Sequence, residues 1–310
     1  MTSNNSSSLS RRTLLLASVA TSLSACATVS QGKATGSELE HKGALRGDEL
    51  QDLLSIYALN VETWWRDRPL AKRFDAAAKA GFTQVEMWGL NSTDRAPAQL
   101  RQAANDAGVE ILHCTVDVPD FANTSAQKVY DAARKSLDQI QILGARYATI
   151  VAHANVEGMS KPDMLAAYRD RLREITPLFE AAGVMGLVEP FNPYNHPGHF
   201  MYGAGDAVEI CRSIDSPNIK LNWDLFHMQR AEGNVVYELE QGIDQCGYLQ
   251  IADSPHRREP GTGEMNYAFI LSEALSLGYS GPIGLECFPN EGRETAAVRR
   301  VIELAKSIES

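Results

Sequence analysis

Residues 186–203 read GLVEPFNPYNHPGHFMYG. A short apolar run ends in a carboxylate, Glu189, and the chain then stays irregular through three prolines, two histidines and two asparagines. Apolar runs of four to eight residues bounded by turn formers fit a buried strand. A charge closing such a strand, followed by a long non-repetitive segment, fits a strand that empties into a pocket-lining loop.

The pattern repeats on both sides. LLSIYAL (53–59) precedes LAKRFDAAAKAG, TQVEMW precedes APAQLRQAANDAG, and VEILHCTV precedes SAQKVYDAARKSLDQIQILG. RYATIVA precedes KPDMLAAYRDRLREITPLFEAAG, and MGLVEP precedes a helix near Ala204–Ile214. NIKLNWD precedes a helix near Val235–Gly242, GYLQIA precedes NYAFILSEALSLG, and GPIGLEC precedes RETAAVRRVIELAKSI. Gly81, Gly108, Gly144, Gly183 and Gly278 stand where helices should stop. Apolar strands alternating with amphipathic helices imply a parallel sheet covered by helices. Eight such units over one domain, 48–310, imply a single (β/α)8 TIM barrel. An open doubly wound sheet fits less well, because no Gly-rich phosphate loop follows the first strand.

In such a barrel the chemistry gathers where strands end. Strand two ends at Glu86, four at His153, five at Glu189, six at Asp224, seven at Gln250 and eight at Glu286. Glu189, Asp224, Gln250 and Glu286 would meet at one mouth, where like charges repel unless a cation joins them. Three carboxylates and an amide oxygen suit a hard divalent ion, Mg²⁺ or Mn²⁺, better than Zn²⁺. His227, three residues past Asp224, is placed to contact a substrate hydroxyl or to orient a ligand. Arg257 and Arg258 follow strand seven; one of them binds a substrate oxygen or anion, or both stay in solvent. His153, His196 and His199 are either loop histidines satisfied by the protein or substrate contacts, and His153 stands with His227 and Arg257 as a substrate-binding candidate. The adjacent Trp64 and Trp65 after strand one are packing residues or an apolar wall of the pocket.

The first residues have a different character. SLSRRTLLLASVATSLSACATVS (8–30) has paired arginines, a short apolar run and small residues before Cys26. Residues 1–25 read as a twin-arginine, lipoprotein-type export signal, and 26–47 as a flexible tether. The expected location is periplasmic, with membrane attachment only through a lipid on Cys26. Past residue 25 the chain has 27 Lys and Arg against 39 Asp and Glu, a net charge of −12. Such a surface repels phosphate backbones and excludes nucleic acid as an expected partner. Cys114, Cys211, Cys246 and Cys287 show no CxxC pair and read as buried thiols, with cross-links as the alternative.

LVEPFN (187–192), WDLFHMQRAEGN (223–234), LQIADSPHRREPGTGEMNY (249–267) and GLECFP (284–289) resemble the xylose-isomerase-like barrels of sugar isomerases and epimerases, and within them the hydroxypyruvate isomerase branch. The resemblance runs from about Leu53 to the C-terminal end. It implies that Glu189 and Glu286 are the acid/base pair. It also implies that Glu189, Asp224, Gln250 and Glu286 are the metal positions, and that His227 and Arg257 face the substrate. The chain departs from that branch in NVETWWRD after strand one, PYNHPG with Tyr194 and Asn195 after strand five, EMWGLN after strand two and AHAN after strand four. The expected activity is therefore a metal-assisted isomerisation of an aldose/ketose or hydroxy-keto acid, with a small molecule as partner. Epimerisation or elimination on a keto sugar uses the same parts. A non-catalytic sugar-binding lipoprotein and a metal-dependent abasic-site nuclease are the rivals from other classes.

Overall fold

The computed structural model describes residues 46–90 and 95–309, which lie in one compact unit. The export signal at 1–25 and nearly all of the tether at 26–47 lie outside the described residues. Among the described residues, no helix is long and apolar enough to cross a membrane.

Eight parallel strands close into a barrel in sequence order: β1 Tyr57–Asn60, β2 Gln84–Glu86, β3 Glu110–Thr115, β4 Tyr147–Ile150, β5 Met185–Val188, β6 Ile219–Asp224, β7 Cys246–Gln250 and β8 Ile283–Leu285. Closure comes from β1 pairing with β8, Tyr57 opposite Ile283 and Leu59 opposite Leu285. Among the described residues ten α-helices accompany the strands: α1 Gly47–Leu54, α2 Leu70–Lys79, α3 Pro97–Ala107, α4 Ala126–Leu143, α5 Lys161–Ala182, α6 Gly205–Ile214, α7 Leu225–Ala231, α8 Val235–Gly242, α9 Tyr267–Ser276 and α10 Glu294–Glu309. The five helix-stopping glycines all take positive φ, between 65° and 97°.

Two elements differ from the sequence reading. Leu53 and Leu54 end helix α1 instead of opening a strand. Leu50, Leu53 and Leu54 repeat at helical spacing and pack on the core, a pattern that a short apolar run cannot separate from a strand. Helix α7 was not expected. It starts because the Asp224 side chain accepts from the backbone N–H groups of Phe226 and His227, an N-cap.

Inside the barrel the residues change character from bottom to top. Ala58, Leu112, Leu187 and Tyr248, from the four odd strands, form an apolar layer of the kind expected in this architecture. Nearer the strand ends the interior becomes polar: Asn60, Glu86, His113, Thr149, Asn222 and Gln250 are all buried. Gly284 on β8 gives Glu86 its room, since a Cβ there would lie 2.3 Å from Glu86 Oε2.

Candidate active site

A cavity of 370 Å³ opens at the C-terminal ends of the strands, within the size range of small-ligand sites. Glu189, Glu286, His227, Gln250 and Arg257 line it together with Trp88, Phe191 and Phe288. Among the described residues, three non-glycine residues in loops after strands hold positive φ: Trp65 after β1, Ala152 after β4 and Arg257 after β7. Such conformations cost energy and concentrate at functional sites. Of these only Arg257 lines the cavity, and the turn at φ 54° belongs to the loop that delivers its side chain there.

Arg257 is the electrostatic centre. Its Nη2 donates to Asp224 Oδ2 at 2.7 Å and lies 3.2 Å from Glu286 Oε2, while Nε donates to the Glu286 carbonyl at 3.2 Å. The second Glu286 oxygen, Oε1, accepts from the Trp88 indole at 2.8 Å. Asp224 divides its carboxylate: Oδ1 caps α7 and Oδ2 meets Arg257. The Arg257 guanidinium is pushed up, beyond its ordinary value, by Glu286, Asp224 and Glu189, which outweigh its burial. Glu189 is raised well above the carboxylate range, by burial first and then by the charges of Glu286 and Asp224. Asp224 is raised to about 6 by burial, with Arg257 opposing.

His227 sits among these groups, its Nε2 3.5 Å from Asp224 Oδ2 and 3.9 Å from Glu189 Oε1. Its Nδ1 is 2.7 Å from Asn192 Nδ2. The Asn192 oxygen is taken by the backbone N–H groups of Tyr194 and Asn195, so the amide offers its NH₂ to the ring. Nδ1 is then the acceptor, and Nε2 carries the hydrogen, which faces Asp224 Oδ2 at 3.5 Å; Arg257 Nη1, 3.1 Å from the same nitrogen, is a second donor, so two donors converge there. Burial, and then Arg257, press His227 well below its ordinary value, so the ring is neutral.

Below the mouth, Glu86 accepts from Asn60 at 3.0 Å, Tyr248 at 2.8 Å and Gln250 Nε2 at 3.1 Å. The Gln250 oxygen therefore faces the other way, where Asn222 Nδ2 donates to it at 2.7 Å. Burial raises Glu86 to about 8.

The structure thus brings Glu189, Asp224, Gln250, Glu286, His227 and Arg257 to one mouth, with Gln250 and Glu286 already engaged by protein donors. His153 is elsewhere. It is fully buried behind the wall, its Nε2 donating to the Glu189 carbonyl at 2.8 Å and its Nδ1 3.2 Å from His199 Nδ1. It braces the end of β5 and does not line the cavity. Trp64 and Trp65 are packing residues: Trp64 is wholly buried and donates to the Leu285 carbonyl, and Trp65 joins the core. The wall comes instead from Trp88, 41% exposed, with Phe191 and Phe288. Trp88 and Asn192 were missed as site residues, although each stands two or three residues past a strand-end glutamate. Arg258 points away from this cavity. The four cysteines past residue 26 are free, and burial pushes Cys114 and Cys211 up to about 12.

The site fits a divalent cation. Three carboxylates face one guanidinium, and that excess of negative charge adds to burial in raising Glu189. Donor atoms of Glu189, Asp224 and His227 lie within 4.8 Å of one another, a group that could hold a metal ion. The imidazole would have to give up its Nε2 hydrogen to ligate, so the two carboxylates are the firmer part of this set.

A hydroxypyruvate isomerase of Escherichia coli (strain K12) is 26% identical to this chain over 249 residues, covering 77% of this chain and 95% of that protein. A 2-oxo-tetronate isomerase of Cupriavidus necator is 29% identical over 245 residues, covering 76% and 94%. A solved structure described as an AP endonuclease, family 2, from Brucella melitensis has a TM-score of 0.71 at 25% identity, covering 78% of this chain and 96% of that one. The xylose isomerase-like TIM barrel family matches residues 74–308, from within α2 to the last turn of α10. With the barrel closed in strand order across that span, the chain belongs to the xylose isomerase-like TIM barrel family.

Proposed function

We propose that this chain is an isomerase that moves a proton between neighbouring carbons of a small hydroxy-carbonyl compound, either an aldose–ketose pair or a hydroxy-keto acid of the hydroxypyruvate kind. The observation that carries the reading is the convergence of Glu189 and Glu286, from the ends of β5 and β8, on one cavity beside Arg257. The isomerases among its relatives support the class of reaction.

The residues divide the work as follows. Glu286, oriented by Trp88 and Arg257, takes the proton from the carbon beside the carbonyl. The C–H electron pair becomes the carbon–carbon double bond, and the carbonyl oxygen gains negative charge. Arg257 and the Nε2–H of His227 stand where they can donate to that oxygen. Glu189, whose surroundings favour the protonated form, delivers a proton to the former carbonyl carbon, while the hydroxyl proton on the first carbon passes to the former carbonyl oxygen and proton exchange with water resets the two glutamates. In the reverse direction the two glutamates exchange roles. Glu189, Asp224, Gln250 and Glu286 would hold an ion such as Mg²⁺ or Mn²⁺, which supplies further charge stabilisation to the substrate oxygens. Asn192 holds His227 in its tautomer, and His153 holds the backbone under Glu189.

Epimerisation, or elimination from a keto sugar, uses the same two carboxylates and differs in which face or carbon receives the proton. Export to the periplasm and a lipid on Cys26 remain part of the proposal, resting on residues 8–30. The test is hydrogen exchange at the reacting carbon in D₂O, with product identity read by NMR. Glu189→Gln and Glu286→Gln keep shape and oxygen but carry no proton, so each is expected to lose about 10²-fold or more in kcat. Near-normal turnover in both variants would sink the assignment of these two glutamates, and no hydrogen exchange by the wild-type protein would favour a non-catalytic sugar-binding protein.

A further inference from the structure

A second cavity, of 400 Å³, lies beside the first, and Phe288 lines both. That shared wall is held from two sides. The Phe288 N–H donates to the Arg257 carbonyl at 2.7 Å, and the Phe288 carbonyl accepts from Arg258 Nη1 at 2.7 Å. Successive arginines therefore clamp one aromatic residue. With the backbone of Arg257 turned at φ 54°, Arg257 lines the inner chamber and Arg258 the outer. A partition fixed at both backbone groups is part of the site and not a loop that happens to rest there.

The two chambers differ in chemistry. Among the described residues lining the inner chamber, Arg257 is the sole Lys or Arg, and its Nη2 and Nε are already directed at Asp224 and Glu286. Its remaining accessible wall is largely aromatic. The outer chamber mixes guanidinium donors, Arg66 and Arg258, with carboxylate acceptors, Asp67, Glu291 and Glu294, and the amide of Asn290. Arg66 lies 5.7 Å from the centre of the Phe288 ring, and among the described residues neither Arg66 nor Arg258 is paired with a carboxylate. Mixed donors and acceptors around an aromatic ring suit a ligand that has many hydroxyls, an apolar ring face and no charge. An anionic group would meet three carboxylates there.

We infer that the outer chamber is a subsite for a second, uncharged, hydroxyl-rich ring, and that the substrate is a two-unit keto sugar whose reacting unit occupies the inner chamber. This rests on the isomerase reading and narrows it, setting the chain apart from enzymes of free three- and four-carbon keto acids. Phe288 stands between the two units, with Arg66 5.7 Å from the centre of its ring.

The test compares D-fructose with maltulose, the same ketose carrying a glucosyl unit, by hydrogen exchange at the carbon beside the carbonyl. The KM ratio, fructose over maltulose, is expected to exceed about tenfold in the wild-type protein, the effect of a few added contacts. In Arg66→Ala, an exposed position, the ratio should fall to within about threefold. A wild-type ratio near one, or a ratio unchanged in Arg66→Ala, overturns the inference. Saturation-transfer NMR on the glucosyl protons of maltulose gives an independent readout. If neither sugar exchanges hydrogen, the isomerase reading fails on its own terms. Saturation of the glucosyl ring that disappears in Arg66→Ala still supports the subsite, and no saturation in the wild-type protein overturns it.

Discussion

Replacing Trp88 by Phe removes the indole N–H from the active site and keeps a smaller aromatic ring in its place. The Trp88 indole donates to Glu286 Oε1 at 2.8 Å, and the other oxygen of that carboxylate is held by Arg257 at 3.2 Å. A hydrogen bond to a charged group contributes about 1.5–3 kcal/mol. At 1.4 kcal/mol per factor of ten, complete loss of the constraint corresponds to about 10- to 100-fold in rate. Arg257 remains to hold one oxygen, so the lower end, about tenfold in kcat, is the expected value. KM should change less, because the ring still supplies an apolar wall. With 41% of Trp88 exposed, stability should move by no more than about 0.5 kcal/mol. Steady-state kinetics with hydrogen exchange in D₂O measures the first two, and urea denaturation the third. Trp88→His, which can offer a ring N–H from the same position, should recover part of kcat. Full kcat in Trp88→Phe would refute the claim that this bond orients the base, and equal losses in Phe and His variants would assign the effect to shape.

Three other outcomes follow from particular groups. Protein purified without chelator should carry one divalent ion by elemental analysis, and Asp224→Ala should lose it along with about 0.5–2 kcal/mol from the lost α7 cap; metal retained in that variant, or none in the wild type, counts against the site. Burial presses His113 down to about 3, against about 6.5 in the unfolded chain, so the unfolded state takes up a proton that the folded state refuses and stability falls as pH drops from 6.5 towards 3. Between pH 7 and pH 5 this amounts to about 2 kcal/mol, which His113→Phe should abolish in denaturation curves at the two pH values; an unchanged pH dependence would show that His113 is protonated in the fold. Metabolic labelling with palmitate should mark Cys26 and vanish in Cys26→Ser, while Arg11→Lys/Arg12→Lys should keep the precursor in the cytoplasm; label persisting without Cys26 would remove the lipid anchor from the proposal.

Much of the barrel was legible in the sequence because its causes are local. Strand and helix periods, helix-stopping glycines and carboxylates at strand ends all lie within a few residues of the element that they define, and eight repeats leave few ways to close. Glu189, Asp224, Gln250 and Glu286 could be placed at one mouth on that basis alone. The partners that decide what each can do are distant in sequence. Trp88 and Glu286 are 198 residues apart, and Glu86 and Gln250 164 apart. The direction of the Gln250 amide depends on Glu86, on another strand, whose Oε1 accepts from the amide nitrogen, and the tautomer of His227 depends on two backbone N–H groups that occupy Asn192. His153 looked like a pocket residue because it follows a strand; the tertiary structure turns it inward, where the Glu189 carbonyl and His199 satisfy both ring nitrogens. Leu53 and Leu54 are apolar in either conformation, and packing of α1 on the core settled them as helix. Sequence determined which residues reach the mouth, because strand order is set by local pattern. The tertiary structure decided which way each side chain points, because hydrogen-bond orientation is set by neighbours that only folding brings together.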